Sequence, residues 1–249
     1  MTKKIWIGSV RIDAEILAKA GQNAAELTKV MRSEIDRAKA DKNPNLSEHG
    51  RRQNELAFRE AGKTDLTNLA NRIASARSYL TEQAKQHARI PDEAAALIRS
   101  EQKWRHAERM LDAGQDLRDV LSNADADTAR AIAEFAPSWA AAKDYRPGGI
   151  GGAIAKWMGE TPAETVDVIR NSVYARLAKV DPDPDARELF AAAAVADAQT
   201  AVAQPWLAAA ERISETGVAD ILSTSISAQI AQQALSAATE AVSASADSA

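Results

Sequence analysis

Residues 64–80 read Thr64-Asp65-Leu66-Thr67-Asn68-Leu69-Ala70-Asn71-Arg72-Ile73-Ala74-Ser75-Ala76-Arg77-Ser78-Tyr79-Leu80. Leu66, Leu69, Ile73, Ala76 and Leu80 return at steps of three and four, which puts them on one stripe of an α-helix. A half-buried strand would repeat every two residues instead. The stretch belongs to a longer pattern, Leu46 to Arg89, that opens with Ser47 as an N-cap and Glu48 in the first turn. Gly62-Lys63-Thr64-Asp65 reads as a division of this helix, with Thr64 or Asp65 capping its second segment. Arg72, Arg77, Lys85 and Arg89 fall on the polar side, so a basic face backs a narrow apolar seam.

Outward from this helix the periodicity stays helical. Lys4 to Val10 reads as a short extended arm, and Ile16, Ala20, Leu27, Met31 and Ile35 then share a face. Pro44 ends that helix, because it biases Asn43 away from helical backbone. After Ile90, Pro91-Asp92-Glu93 restarts a helix with proline in its first turn and with Leu97, Ile98, Trp104, Met110 and Leu111 inward. Gly114 terminates it. Leu117, Val120 and Leu121 make a short helix, and Thr128 to Ala136 another that stops at Pro137. Thr161-Pro162-Ala163-Glu164 opens a helix in capping-box form, with Val166, Ile169, Val173 and Leu177 buried. Asp181-Pro182-Asp183-Pro184-Asp185 breaks the chain, with Asp185 capping the next helix. Two Ala-rich helices follow, separated or kinked near Pro205.

These elements predict an all-α, elongated multi-helix bundle with Ala-rich C-terminal helices and no sheet. In chain order they divide into an N-terminal arm and helix (1–45), a central basic helical domain (46–144), a Gly-rich hinge (145–152), and an acidic Ala-rich helical region with a low-complexity tail (153–249). Only 4% of the 249 residues are aromatic, so the core must come from Ala, Leu, Ile and Val. Residues 1–110 hold 21 Lys and Arg against 15 Asp and Glu, and the rest hold 10 against 20, so the two halves are oppositely charged. The chain has no cysteine, which excludes disulfides, thiolate metal sites and cysteine nucleophiles. The apolar run in Ile5-Trp6-Ile7 is too short for a secretory signal, and no stretch approaches the ~20 apolar residues of a membrane span.

Motifs that carry chemistry are missing from the expected places. Gly149-Ile150-Gly151-Gly152 is followed by neither Lys-Ser nor a final glycine, so a flexible connection fits it better than a nucleotide cradle. Asp181, Asp183 and Asp185 alternate like the start of a calcium loop, yet Ala186 and Ala192 stand where that loop needs Gly and Glu. His49, His87 and His106 share no metal-ligand spacing, and no serine sits in a Gly-x-Ser-x-Gly elbow. The expectation is a protein that is not an enzyme and needs no cofactor.

Two sets of residues are candidates for contact. Arg51, Arg52, Arg59, Arg72, Arg77, Lys85 and Arg89 are placed to meet phosphates or an acidic partner. The competing reading is a solvated face paired with Glu48, Glu55, Glu60 and Glu82 at helical spacing, and a pI near 5.5 favours it. Trp6, Val218, Leu222, Ile226, Ile230 and Leu235 are candidates for self-association, since they are large apolar anchors in polar or Ala-rich surroundings.

Leu46-Ser47-Glu48-His49-Gly50-Arg51-Arg52-Gln53 and Ala124-Asp125-Ala126-Asp127-Thr128-Ala129-Arg130-Ala131-Ile132-Ala133 carry a resemblance. The first resembles the Leu-Ser-x-x-Gly-Arg opening of a basic helix, and the second the later Asp-x-x-Ala-Arg-Ala-Ile segment, of helical proteins encoded near the structural genes of actinobacterial tailed phages and prophages. The resemblance implies a virion, scaffold or assembly role and assigns no residue a part in it. The expected function is thus a non-catalytic, phage-encoded structural or assembly protein acting through helix–helix contacts as a homo-oligomer or with other structural proteins. A nucleic-acid-associated helical protein using the basic N-terminal half is the alternative, and an enzyme with an unrecognised site is third. No membrane is involved in any of these, and the expected location is the cytoplasm of a bacterial host or the virion.

Overall fold

A computed structural model describes residues 7–41, 43, 46–143, 145 and 162–243. Among these residues 88% are helical and there is no strand. The helices are α1 (Ile7–Ala18), α2 (Ala20–Ala40), α3 (Glu48–Ala88), α4 (Ala94–Asp112), α5 (Leu117–Ser122), α6 (Ala126–Lys143), α7 (Pro162–Val180), α8 (Pro184–Thr216) and α9 (Ile221–Ser243). The all-α expectation holds. The expected hinge lies outside the described residues except for Tyr145, and so do Trp6 and the last six residues of the tail.

Several expected boundaries move. The arm is helical from Ile7 onward. Pro91 precedes α4 instead of opening it, and Glu93 is the N-cap. Asp183, not Asp185, caps α8: its carboxylate accepts from the Asp185 N–H at 3.0 Å and its carbonyl from the Arg187 N–H at 3.0 Å. Pro137 and Pro205 lie inside α6 and α8, which continue past them. A proline removes one hydrogen bond from a helix, and here the packing on either side outweighs that loss. Gly62 does not divide α3. A Cβ there would lie 2.7 Å from Met31 Cε, so the glycine serves a close approach of α3 to α2.

The residues fall into two compact units, each assembled from separate stretches of chain. The first takes residues 11–79 and 196–238. Met31 and Ile35 of α2 pack on Ala210 and Ile213 of α8, with Leu27, Leu66 and Ala219 against them. Small residues let these helices meet: a Cβ at Gly21 would lie 2.6 Å from Val202 Cγ1. The Thr28 hydroxyl, fully buried, lies 2.7 Å from the Ala24 carbonyl and 3.0 Å from that of Trp206, so its single proton serves both α2 and α8.

The second unit takes the described residues within 7–10, 80–195 and 239–243. Leu80, Leu117, Ile132, Ile169, Leu177, Leu189 and Phe190 are among its fully buried large side chains. Four of the aromatics gather where α4 meets α6. Trp104 stands 6.1 Å from Phe135 and 6.3 Å edge-on from Trp139, and Trp139 stands 4.8 Å from Tyr145. Two of their polar ends are engaged: Trp139 Nε1 donates to Asp112 at 3.2 Å, and the Tyr145 hydroxyl accepts from the Leu117 N–H at 3.1 Å. Leu97 and Ile98, expected inward on α4, are exposed, and so is Val166 on α7. Trp104 and Leu111 set the buried face of α4, and Ile169, Val173 and Leu177 that of α7, which turns the other three outward.

Candidate interaction surface

The basic residues singled out in the sequence are largely committed within the chain. Arg51 donates to the Leu46 carbonyl at 3.3 Å, Arg52 to Glu48 at 2.6 Å, and Arg89 to Asp92 at 3.1 Å. Arg77 donates to Asp197 of α8 at 2.6 Å. Arg59 pairs with Glu55 and donates to the Glu215 carbonyl at 3.2 Å, while Lys39 donates to the Gly217 carbonyl at 3.3 Å. Arg59 and Lys39 therefore serve the unpaired carbonyls and negative dipole end of α8, with Glu55 balancing their charge. Arg72 and Lys85 are exposed and no ion pair reaches them among the described residues, but they belong to different units. Five of the seven cations are thus engaged by groups of their own unit. This commitment was legible only in part. The pairs at helical spacing follow from the sequence, whereas Arg59 with Glu215 and Arg77 with Asp197 join segments more than a hundred residues apart.

The apolar anchors of the C-terminal segment behave differently. Asp220 caps α9, its carboxylate accepting from the N–H groups of Leu222 at 3.0 Å and Ser223 at 3.2 Å. These bonds, with that of Ser223 foremost, hold its carboxyl below the usual range. Thr224 donates back to the Asp220 carbonyl at 2.7 Å. The cap and the small buried pair Thr224 and Ala228 fix which side of α9 faces its own unit. Leu222, Ile226 and Ile230 then point outward, 72%, 52% and 64% exposed, and Val218 before the helix is 67% exposed. Leu235 leaves the stripe. It comes five residues after Ile230, which rotates it toward the inner side, and it is half-buried.

No other site is assembled around these residues. A cleft of about 160 Å³ between α8 and α9 is lined by Pro205, Arg212, Asp220, Ser223, Thr224 and Ser227. Its Asp220 and Thr224 groups are spent on the helix cap. Among the described residues no group of His, Asp and Glu side chains is arranged to hold a metal, and no helix is long and apolar enough to cross a membrane. Asp181, a calcium-loop candidate by spacing, is buried and paired with Arg130 instead.

Comparison with known proteins adds nothing to the geometry: no family model, curated protein or solved structure matches this chain.

Proposed function

We propose that this chain is a non-catalytic structural or assembly protein that works through helix–helix contacts and is encoded by a tailed phage or prophage. The supporting observation is the exposed stripe of Leu222, Ile226 and Ile230, with Val218 just before them, on a helix that carries no charged side chain ahead of Glu240. Full burial of a large aliphatic side chain is worth about 1.5–3 kcal/mol, so covering four that are more than half exposed is a sizeable unused driving force. A cost of roughly 4–15 kcal/mol for immobilising two molecules offsets most of it, which suits reversible contacts of the kind that assembly requires. The phage setting rests on the resemblance of residues 46–53 and 124–133.

The test is made on particles. Those purified from lysates of the encoding phage are expected to contain the chain, in finished virions or in precursors, and its deletion is expected to lower the yield of filled particles. Absence from both kinds of particle, with an unchanged yield, overturns the reading.

A further inference from the structure

We infer that two copies of this chain pair through α9, antiparallel, with Ile226 at the crossing point and Leu222 of each copy against Ile230 of the other. The inference rests on the reading that the protein acts through helix contacts, and it names the partner of that surface.

Charge selects a second copy as the occupant. From Ile221 to Thr239 the helix carries no Asp, Glu, Lys, Arg or His. Apposing the stripe with itself therefore places no like charges together and buries no unpaired one, the two costs that usually forbid self-pairing of a surface helix. A charged partner helix would gain no complementary group from this face. Spacing fits as well. Leu222, Ile226 and Ile230 form one ridge at four-residue steps, and such ridges interdigitate when two helices cross. Ala234 and Ala237, both exposed, leave room for close approach beyond the ridge.

Direction follows from the helix ends. A parallel pair sets Asp220 beside Asp220 and Glu240 beside Glu240 and aligns the two macrodipoles unfavourably. The antiparallel pair separates the acids and opposes the dipoles. With a two-fold axis through Ile226 the interface is isologous, so it closes at two copies.

The experiment uses the full chain, whose lack of cysteine makes each introduced thiol unique. Sedimentation at increasing micromolar concentration is expected to show a monomer–dimer equilibrium, and Ile226→Glu to weaken it about tenfold or more. Ser227→Glu, an exposed change off the ridge, is expected to leave it unaltered. Helix content measured by circular dichroism confirms that each variant is folded. Under mild oxidation Ile226→Cys is expected to cross-link to itself, and Leu222→Cys to cross-link to Ile230→Cys in a mixture but not to itself. A monomer at every concentration, a dimer indifferent to Ile226→Glu, or self-cross-linking of Leu222→Cys each overturns the inference. A dimer of a chain absent from particles would reject the proposed function and keep the dimer. A chain found in particles but monomeric in solution would do the reverse.

Discussion

Lys39, at the end of α2, donates to the carbonyl oxygen of Gly217, 178 residues further along the chain, at 3.3 Å. Gly217 can accept there because its backbone is left-handed, with φ of +73°, and its N–H bonds the Ile213 carbonyl at 2.9 Å. This is the helix-ending geometry that glycine favours, and it turns the last carbonyls of α8 toward Lys39 and Arg59.

Gly217→Ala is therefore expected to cost more than Gly114→Ala. Both glycines have positive φ, so alanine strains each by roughly 1 kcal/mol. At Gly114 the new methyl meets open space, whereas at Gly217 it falls on the Arg59 guanidinium and drives it from the Glu215 carbonyl. Thermal unfolding of the two variants checks this. Equal losses would show that the Arg59 cap contributes nothing measurable.

Arg130 and Asp181 tie α6 to the turn after α7. Asp181 is 2% exposed and also accepts from the Asp183 N–H at 3.0 Å. Removing the guanidinium strands a buried carboxylate, so Arg130→Ala is expected to destabilise the chain by about 3 kcal/mol or more. Arg130→Ala combined with Asp181→Asn is expected to lose less than the sum of the single changes. Chemical denaturation of the three variants measures the coupling, and additive losses would refute it.

Two leucines of similar helical surroundings are expected to differ sharply. Leu80 is completely buried, and Leu80→Ala opens a cavity worth about 2–5 kcal/mol. Leu222 projects into solvent, and Leu222→Ala is expected to change the stability of the dilute chain by less than about 0.5 kcal/mol. A large loss at Leu222 in dilute solution would mean that it packs within its own chain.

Asp125 caps α6 and pairs with Lys103 at 2.7 Å. The Lys103 bond first, then those from Thr128, hold its carboxyl down at about 2, against an ordinary 3.8. A carboxyl whose folded value is lowered stabilises the fold above its unfolded value. That contribution disappears as pH falls from about 4 through about 2. The pair is half exposed, so solvent screening limits it to less than about 1 kcal/mol. Asp125→Asn keeps an acceptor for the Thr128 N–H but removes the charge. Its stability is expected to fall less steeply than the parent's over that acid window, and parallel curves would contradict the assignment.

Helix type and much of the core were determined by the sequence alone. Leu80, Ile73 and Ala76 are buried where a 3.6-residue period puts them, because that period belongs to the backbone and needs no partner to be read. The apolar stripe of Leu222, Ile226 and Ile230 was legible for the same reason. Its exposure was not, since a period says which residues share a face and not what that face meets. Tertiary structure decided the rest. It carried α3 through Gly62 by seating Met31 there, carried α6 and α8 through their prolines, and turned Leu97 and Ile98 outward by burying Trp104. It also committed Arg59 and Arg77 to α8. Such outcomes depend on which distant segments meet. Local propensities of about 1 kcal/mol per residue, or about 3 for proline, are outweighed once several side chains pack together.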